Sequence, residues 1–481
     1  MPESAPLPSG TRIPDGLDDV AAAVLEQFPE TRAWLEDLVR VPSISALEAH
    51  HDDVEASAAR TAELLTLAGM SAVEVLRVDG APPYVTGSVT VAPDAPTVLL
   101  YAHHDVQPAA TAHRWTSPPF VPTERDGRLY GRGAADDKAG VLAHVAAIRA
   151  WTTTRGAPPL NVKVIVEGEE EIGSPRLAAF LASHADTLRA DVIVLTDLTN
   201  WQVGWPGLTR SLRGMGDVFV TVRTLAQPIH SGMWGGVVPD ALTATHRLLA
   251  TLHDDDGRIA VEGFCDGVAP LPAADREAIA ALGLSSDDVR RDTRALDGVD
   301  VFDAPGLSAL ERLWYQPTIT PTGMDVPAVA EASNTLLAEV TTKLSCRFAP
   351  GQDPDRAVDA LRAHLIEHAP WGAVVDITVG ATNAAWSTDT NGPAWQAATA
   401  AMTAAYGRAP AIMGCGGSIP FVAPFSAAFD DAPCLLVGVE DPASNAHGED
   451  ESLHLTDFLR ACLTEAFLFA ELARRGDPQD R

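Results

Sequence analysis

Residues 167–174, EGEEEIGS, place four glutamates in one short stretch at the end of an apolar run. Each would be charged at neutral pH, and each raises the free energy of the others. Either the stretch is a solvated acidic loop, or a bound cation reverses the sign of the local electrostatics. Other metal-competent groups follow apolar runs in the same way. TVLLYA (97–102) leads into His103, His104 and Asp105, DVIVLT leads into Asp197, and PCLLVGVE (433–440) precedes DPASNAHGEDE with His447. Between the His103 and glutamate stretches, GRLYGRGAADDKAG sets Asp136 and Asp137 in a glycine-rich turn before a helix-like segment.

Taken singly, each group has an ordinary explanation: a hydrogen-bonded structural histidine, an aspartate capping a helix, a solvated acidic face. Together, two histidines and three or four carboxylates without a nearby cysteine form the ligand set of a catalytic rather than a structural zinc site. So many carboxylates further suggest two metals sharing one bridging aspartate, which would neutralise the glutamate crowding.

The segments that must position these groups alternate between strand and helix. Residues 18–40 carry apolar positions at helical spacing. The short apolar runs TVLLYA, NVKVIVEG (161–168) and DVIVLTD (191–197) are separated by helix-like stretches at 138–151 and 175–188. That order predicts an α/β domain with a mixed, largely parallel sheet and helices on both faces. In such sheets ligands sit beyond the carboxyl ends of the strands, where the candidates fall.

Near residue 210 the rhythm changes. GDVFVTVRT (216–224) and AEVTTKLSCRF (338–348) alternate strictly, as half-exposed antiparallel strands do, and AVVDITVG (373–380) adds another strand. This predicts an inserted α+β domain over 210–383, with the first domain built from 1–209 and 384–481 and a C-terminal helix over 456–474. Residues 254–310 are polar and acidic, and no chemistry is assigned to them.

Composition excludes several function classes. The 481 residues carry a formal charge of −31, against the basic surface that nucleic acids or anionic membranes require. Five scattered cysteines with no C-x-x-C pair suit free thiols in a reducing compartment. MPESAPLPSGTRIPDG lacks the basic and apolar regions of a signal peptide, so a cytoplasmic protein is expected. The one uncharged stretch long enough to span a bilayer, 409–429, contains three prolines and is expected to be an irregular buried loop.

The stretches YAHHDVQPA, LYGRGAADDKAG, EGEEEIGS, VLTDLTNW, LRGMGDV, IHSGMWGGVVPDA, CRFAPGQDP, GGSIP and SNAHGEDES, in that order, resemble the M20 family of dinuclear metallopeptidases. The likeness is strongest to its dipeptidase branch, the carnosinase-like and cysteinylglycine-dipeptidase-like enzymes. The resemblance implies that His103 and Asp197 bind one metal, Glu171 and His447 a second, and that Asp136 bridges them. It makes Asp105 the residue that orients His103, and places a cis peptide between Asp136 and Asp137. In the family pattern E-G-x-E-E-x-G-S, Glu170 is the general base and Glu171 the ligand. Glu169 holds the free position, where it is expected only to add charge beside the site.

The inserted segment resembles the family's lid and dimerisation domain. There His230 matches a histidine that serves the active site of the partner subunit, while Asn334 and Arg347 match positions that hold substrate. Gly417 and Ser418 would add further contacts. Two positions depart from the family pattern: QPIHSG stands where D-x-H-S-G is frequent, and Leu337 stands where a proline is usual. The implied function is hydrolysis of dipeptides, or similar small amides with a free carboxylate, by a homodimer carrying two divalent ions. Zinc is the expected metal, and an oxygen-rich set also accepts manganese. An N-acyl-amino-acid deacylase on the same centre and a catalytically silent binding protein of this fold are the rivals.

Overall fold

The computed structural model describes residues 4–109, 112–302, 306–419 and 421–475. Two compact units emerge, one made of the chain up to Arg210, Thr388–Met413 and the C-terminal stretch, the other of Ser211–Ser387 with Gly414–Ile419.

The first unit is built on a mixed sheet. Its strands run in the order Ser71–Leu76, Tyr84–Val89, Asn161–Glu167, Thr97–His103, Val192–Leu195, Cys434–Leu436 and Gly207–Leu212. The four from Asn161–Glu167 to Cys434–Leu436 are mutually parallel, and the flanking strands pair antiparallel. Parallel strands covered on both sides read as continuous apolar runs rather than alternations, which is why TVLLYAH is buried almost throughout.

Successive side chains of that strand feed two different layers. Val98, Leu100 and Ala102 join the core formed with the helices Asp18–Val39, Lys138–Arg155, Pro393–Tyr406 and Leu455–Arg475. Tyr101 points the other way, its ring 3.7 Å from that of Phe421, which itself stacks on Phe425. Lys138–Arg155 is apolar on nearly every face, as suits a helix enclosed by others, and Gly156 in the left-handed region ends it. Trp151 Nε1 donates to the Ala466 carbonyl at 2.9 Å and fastens this helix to Leu455–Arg475.

The second unit carries a four-stranded antiparallel sheet in the order Thr318–Met324, Glu339–Phe348, Gly214–Arg223, Val374–Asn383. Alternation puts Val218, Val220, Val222, Leu344, Cys346 and Phe348 on one face, beneath the helices Ala241–Leu249 and Pro354–Glu367. The second of these starts where the sequence says it should: Asp353 caps it and Pro354 occupies its first position.

The acidic 254–310 region carries the helices Ala273–Ala281 and Ser286–Thr293, and Ala309–Tyr315 begins at its end. Ser285 with Asp288, and Ser308 with Glu311, close reciprocal capping boxes on the last two. One expectation needs correction: the 409–429 stretch is not one irregular loop. It holds the strand Ala411–Cys415 and the helix Val422–Ala428, and Pro424 falls in the helix's first turn, where a missing N–H costs nothing. Among the described residues no helix is long and apolar enough to cross a membrane, and none of the five cysteines is in a disulfide.

A Cβ on Gly438 would lie 1.2 Å from the Leu198 carbonyl oxygen, an overlap with backbone that no rotamer relieves, whereas one on Gly392 meets nothing within 4 Å. Gly438→Ala is therefore expected to destabilise the fold by more than about 3 kcal/mol, with Gly392→Ala within roughly 0.5 kcal/mol of wild type. Equilibrium denaturation of the two variants checks the contrast, and equal midpoints would contradict it.

Candidate metal centre

Three parallel strands deliver their carboxyl ends to one place. Thr97–His103 ends on His103 itself, Asn161–Glu167 runs into the 3₁₀ turn Glu170–Ile172, and Val192–Leu195 stops two residues before Asp197. The loop after Cys434–Leu436 carries His447, held in the left-handed region at φ 61°. Asp136 arrives from the turn before Lys138–Arg155, through an Asp136–Asp137 peptide that is cis. Asp137 stands at the N-cap position without capping the helix; its Oδ2 instead accepts the His103 N–H at 3.2 Å.

Six side chains form two triplets, His103 with Glu170 and Asp197, and Asp136 with Glu171 and His447. Within each, the candidate ligand atoms lie within 4.8 Å of one another. Asp136 also joins the triplets: Oδ1 is 3.1 Å from His103 Nε2 and Oδ2 is 3.0 Å from His447 Nε2. Glu171 Oε2 is 3.2 Å from the same His447 nitrogen, and Asp197 Oδ1 is 3.8 Å from His103 Nε2. The donor atoms are imidazole nitrogen and carboxylate oxygen throughout, a set that fits zinc or manganese.

Asp105 stands behind both triplets. His103 Nδ1 donates to its main-chain carbonyl at 3.1 Å with the carboxylate at 3.4 Å, which leaves Nε2 as the lone-pair nitrogen. Asp105 Oδ2 accepts the Glu171 N–H at 3.1 Å and the Ser45 hydroxyl at 2.6 Å. Gln107 grips the other side of Glu171, with its backbone N–H 3.1 Å from Oε1 and its amide nitrogen 2.8 Å from Oε2. Ser45 and Gln107 carried no sequence signal, since their contacts are made by folding alone.

The charges are out of balance. Burial pushes the Glu170 carboxyl well above its ordinary range, and the Asp197 charge adds to this. Burial and the Asp136 charge raise Glu171 to about 7, and burial raises Asp197. Burial works the same way on Asp136, but the imidazoles of His103 and His447 outweigh it and hold that carboxyl low. His447 is pushed up to about 11 by Asp136 and Glu171. In His103 burial opposes the charge, yet Asp105, Asp136 and Asp197 prevail and raise it well above the usual histidine range. Asp136 apart, the signs are those of a buried group of acids with more negative charge than the two imidazoles balance.

Glu169 corrects an expectation. It is wholly buried, not a spare charge at the rim: Tyr84 donates its hydroxyl to Oε1 at 2.7 Å and the Arg176 N–H donates to the same oxygen at 2.9 Å. The turn Glu170–Ile172 is thereby tied to the strand Tyr84–Val89 and to the start of the helix Leu177–Leu188. This contact left no mark in the sequence, because the phenol that receives Glu169 lies 85 positions away.

The remaining sequence candidates, His230, Asn334, Arg347, Gly417 and Ser418, belong to the second unit. His230 pairs with Thr335 across a short ladder and caps the helix Ser231–Trp234, while the Asn334 carbonyl accepts the Ser231 N–H at 2.9 Å. Arg347 Nη1 donates to Ser418 Oγ at 3.2 Å, and the Gly417 N–H points at the Cys415 sulfur. Arg213, missed in the sequence, donates to the Gly416 carbonyl; burial and the Arg347 charge lower it to about 10.

The sequence pattern of peptidase family M20/M25/M40 matches residues 99–470. A cysteinylglycine-S-conjugate dipeptidase of Corynebacterium striatum is 35% identical over 436 residues, 90% of this chain and 93% of the relative. Human carnosine dipeptidase 1 superposes with a TM-score of 0.83 at 26% identity, covering 96% of this chain and 99% of that one. An M20 family metallo-carboxypeptidase of Sulfolobus solfataricus gives a TM-score of 0.81 at 25% identity, covering 92% and 99%.

Two outcomes follow from these contacts. Glu169→Ala strips the acceptor from a buried phenol and a part-buried N–H, and should cost about 2 kcal/mol of stability; a solvated loop residue would cost nothing measurable by denaturation. In metal-free protein, the raised carboxyls and histidines keep protons that the unfolded chain has released, so stability should fall as pH rises from about 5 to about 8. Thermal melts across that range, with and without added zinc, check the sign, and saturating zinc should flatten the dependence.

Proposed function

Since the chain belongs to peptidase family M20/M25/M40 and is a metallopeptidase, we propose that it hydrolyses dipeptides with a free C-terminal carboxylate at a centre of two divalent ions. The observation that carries the two-ion reading is Asp136, whose oxygens face one triplet each at 3.1 and 3.0 Å. The dipeptide part is supported by the Corynebacterium striatum relative, named for a cysteinylglycine conjugate, and by the likeness to human carnosine dipeptidase 1.

In this reading His103 and Asp197 hold one ion, Glu171 and His447 the other, and Asp136 bridges. Two zinc ions, or manganese in their place, would polarise the amide carbonyl and acidify the attacking water. Glu170 takes the water's proton and hands it to the leaving amine. Burial helps it, because a carboxylate raised toward neutrality is a better proton acceptor than a solvated one. Asp105 fixes the lone-pair nitrogen of His103 and, through the Glu171 N–H, the turn that carries the base.

Arg347 grips the substrate carboxylate with its planar fork, while Asn334, Gly417 and Ser418 add further contacts. His230 serves the centre of a partner subunit in a homodimer, donating to the carbonyl oxygen as negative charge develops there.

The test is hydrolysis of a panel of dipeptides and N-acyl amino acids by zinc-loaded protein, together with metal analysis of two variants. Glu170→Gln should retain about two ions per chain while kcat falls by roughly 100-fold or more. Glu171→Gln should lose an ion, or hold it far more weakly, and lose activity with it. Faster cleavage of N-acyl amino acids than of any dipeptide would reassign the substrate; full activity in Glu170→Gln would reassign the base.

A further inference from the structure

Glu451 has no part in the chemistry above, yet its carboxylate is among the most thoroughly engaged groups in the first unit. It is wholly buried. Oε1 accepts the backbone N–H groups of Ala135 at 3.0 Å and of Asp136 at 3.2 Å; Oε2 accepts the Gly133 N–H at 3.0 Å and Arg132 Nη1 at 2.7 Å. One side chain therefore collects four donors from a single turn, the turn that presents Asp136. Arg132, itself buried, sends its other nitrogen Nη2 to the Gly448 carbonyl at 3.0 Å, one residue beyond His447. The Gly131 N–H closes the arrangement on the Glu451 carbonyl at 3.0 Å.

Neither partner can leave cheaply. A buried carboxylate with four donors is held by charge-assisted hydrogen bonds, and removing it strands three backbone N–H groups as well as a guanidinium. Nor can the turn slide, because Gly133 sits at φ +79° with Val106 directly against it. What this rigidity fixes is the separation of two loops, one carrying Asp136 and the other His447. Those loops meet across the 3.0 Å contact between Asp136 Oδ2 and His447 Nε2.

Resting on the two-ion reading of the centre, we propose that Glu451 and Arg132 form a positioning clamp that sets the spacing between the bridging carboxylate Asp136 and His447, and through it the affinity for the second divalent ion. The clamp touches neither ion nor substrate. It acts on a distance: the Asp136 and His447 donors must close on one cation together, and loops free to drift apart would present them one at a time.

The experiment compares wild type with Glu451→Gln and Arg132→Lys. Glu451→Gln keeps shape but turns an amide N–H toward groups that are themselves donors; Arg132→Lys keeps the charge and loses the fork that reaches Gly448. Metal-free protein is titrated with zinc against a competing chelator, and thermal melts are recorded with and without the metal. The clamp predicts that Glu451→Gln weakens the second zinc equivalent by at least tenfold while the first changes less than threefold. The zinc-induced rise in Tm should shrink accordingly, and Arg132→Lys should shift both in the same direction by less. A purely structural role would lower the metal-free and zinc-loaded Tm equally and leave both affinities intact, and that result overturns the proposal. Should Glu451→Gln not fold, Arg132→Lys with unchanged second-site affinity overturns it as well. Wild-type protein that binds a single zinc would bring down the two-ion reading and the clamp together, whereas two zinc ions held equally by all three proteins would bring down the clamp alone.

Discussion

Asp136 turns one oxygen to His103 and the other to His447, and Glu170, Glu171 and Asp197 close around that single carboxylate. Four acids and two imidazoles gathered in one place, with His447 at the exposed side, cannot all be satisfied by each other. The raised Glu170, Glu171 and Asp197 carboxyls and the raised histidines record the imbalance from both sides. A pocket so arranged is stable only with external positive charge or with bound protons, and the two compete. The rest of the first unit can be understood as what holds these groups together against their mutual repulsion.

That holding is done by apolar strands in front and buried polar ties behind. The parallel strands bring His103, the glutamate turn and Asp197 to one edge because their registers are fixed: His103 lies opposite Glu167, and Tyr101 opposite both Ile165 and Leu195. Beneath them Lys138, immediately after the cis peptide, is fully buried and donates to the Leu38 and Val41 carbonyls at the end of the helix Asp18–Val39. Burial lowers this ammonium group to about 7, and its two hydrogen bonds pin the start of one helix to the end of another. His144, one turn and a half further along, joins Glu465 at 2.8 Å and the Tyr101 carbonyl at 3.1 Å, tying helix, C-terminal helix and central strand.

Long, strongly periodic or strongly apolar segments were legible in the sequence. TVLLYA, NVKVIVEG and the alternating GDVFVTVRT gave strands within a few residues of those formed, because burial on two faces or on one face leaves a pattern in the residues themselves. The short helices inside 254–310 were not legible by periodicity, although both capping boxes are local and could have been found by their Ser-x-x-Asp and Ser-x-x-Glu spacing. In the candidate centre, His103, Asp136, Glu170, Glu171, Asp197 and His447 drew attention because ligand chemistry restricts residue type. What escaped were Ser45, Gln107, Glu169 and Glu451, whose importance comes from side-chain contacts with partners as far as 319 positions away. Type alone says nothing of such groups; only the fold does.

EGEEEIGS shows how one residue type can be accommodated in two ways. Glu167 and Glu169 are two positions apart, and both turn inward, where Tyr101 and Tyr84 each offer a phenolic hydrogen at 2.8 and 2.7 Å. Burial lifts Glu167 to about 7, and the Tyr101 hydroxyl, not a counter-charge, is its hydrogen-bond partner. Past Glu169 the backbone turns into a 3₁₀ segment that Gly173 ends in the left-handed region, and Glu170 and Glu171 swing toward the histidines instead. Inner acids are thus settled by hydrogen-bond donors, while the outer ones gather around the histidines. The division has a physical logic. Were all four to face the pocket, each added carboxylate would raise the repulsion among those already there. Were all four to face inward, none of them would be left beside His103 and His447. The turn between Glu169 and Glu170 separates the two solutions, and the Tyr84 hydroxyl on Glu169 fixes where that turn begins.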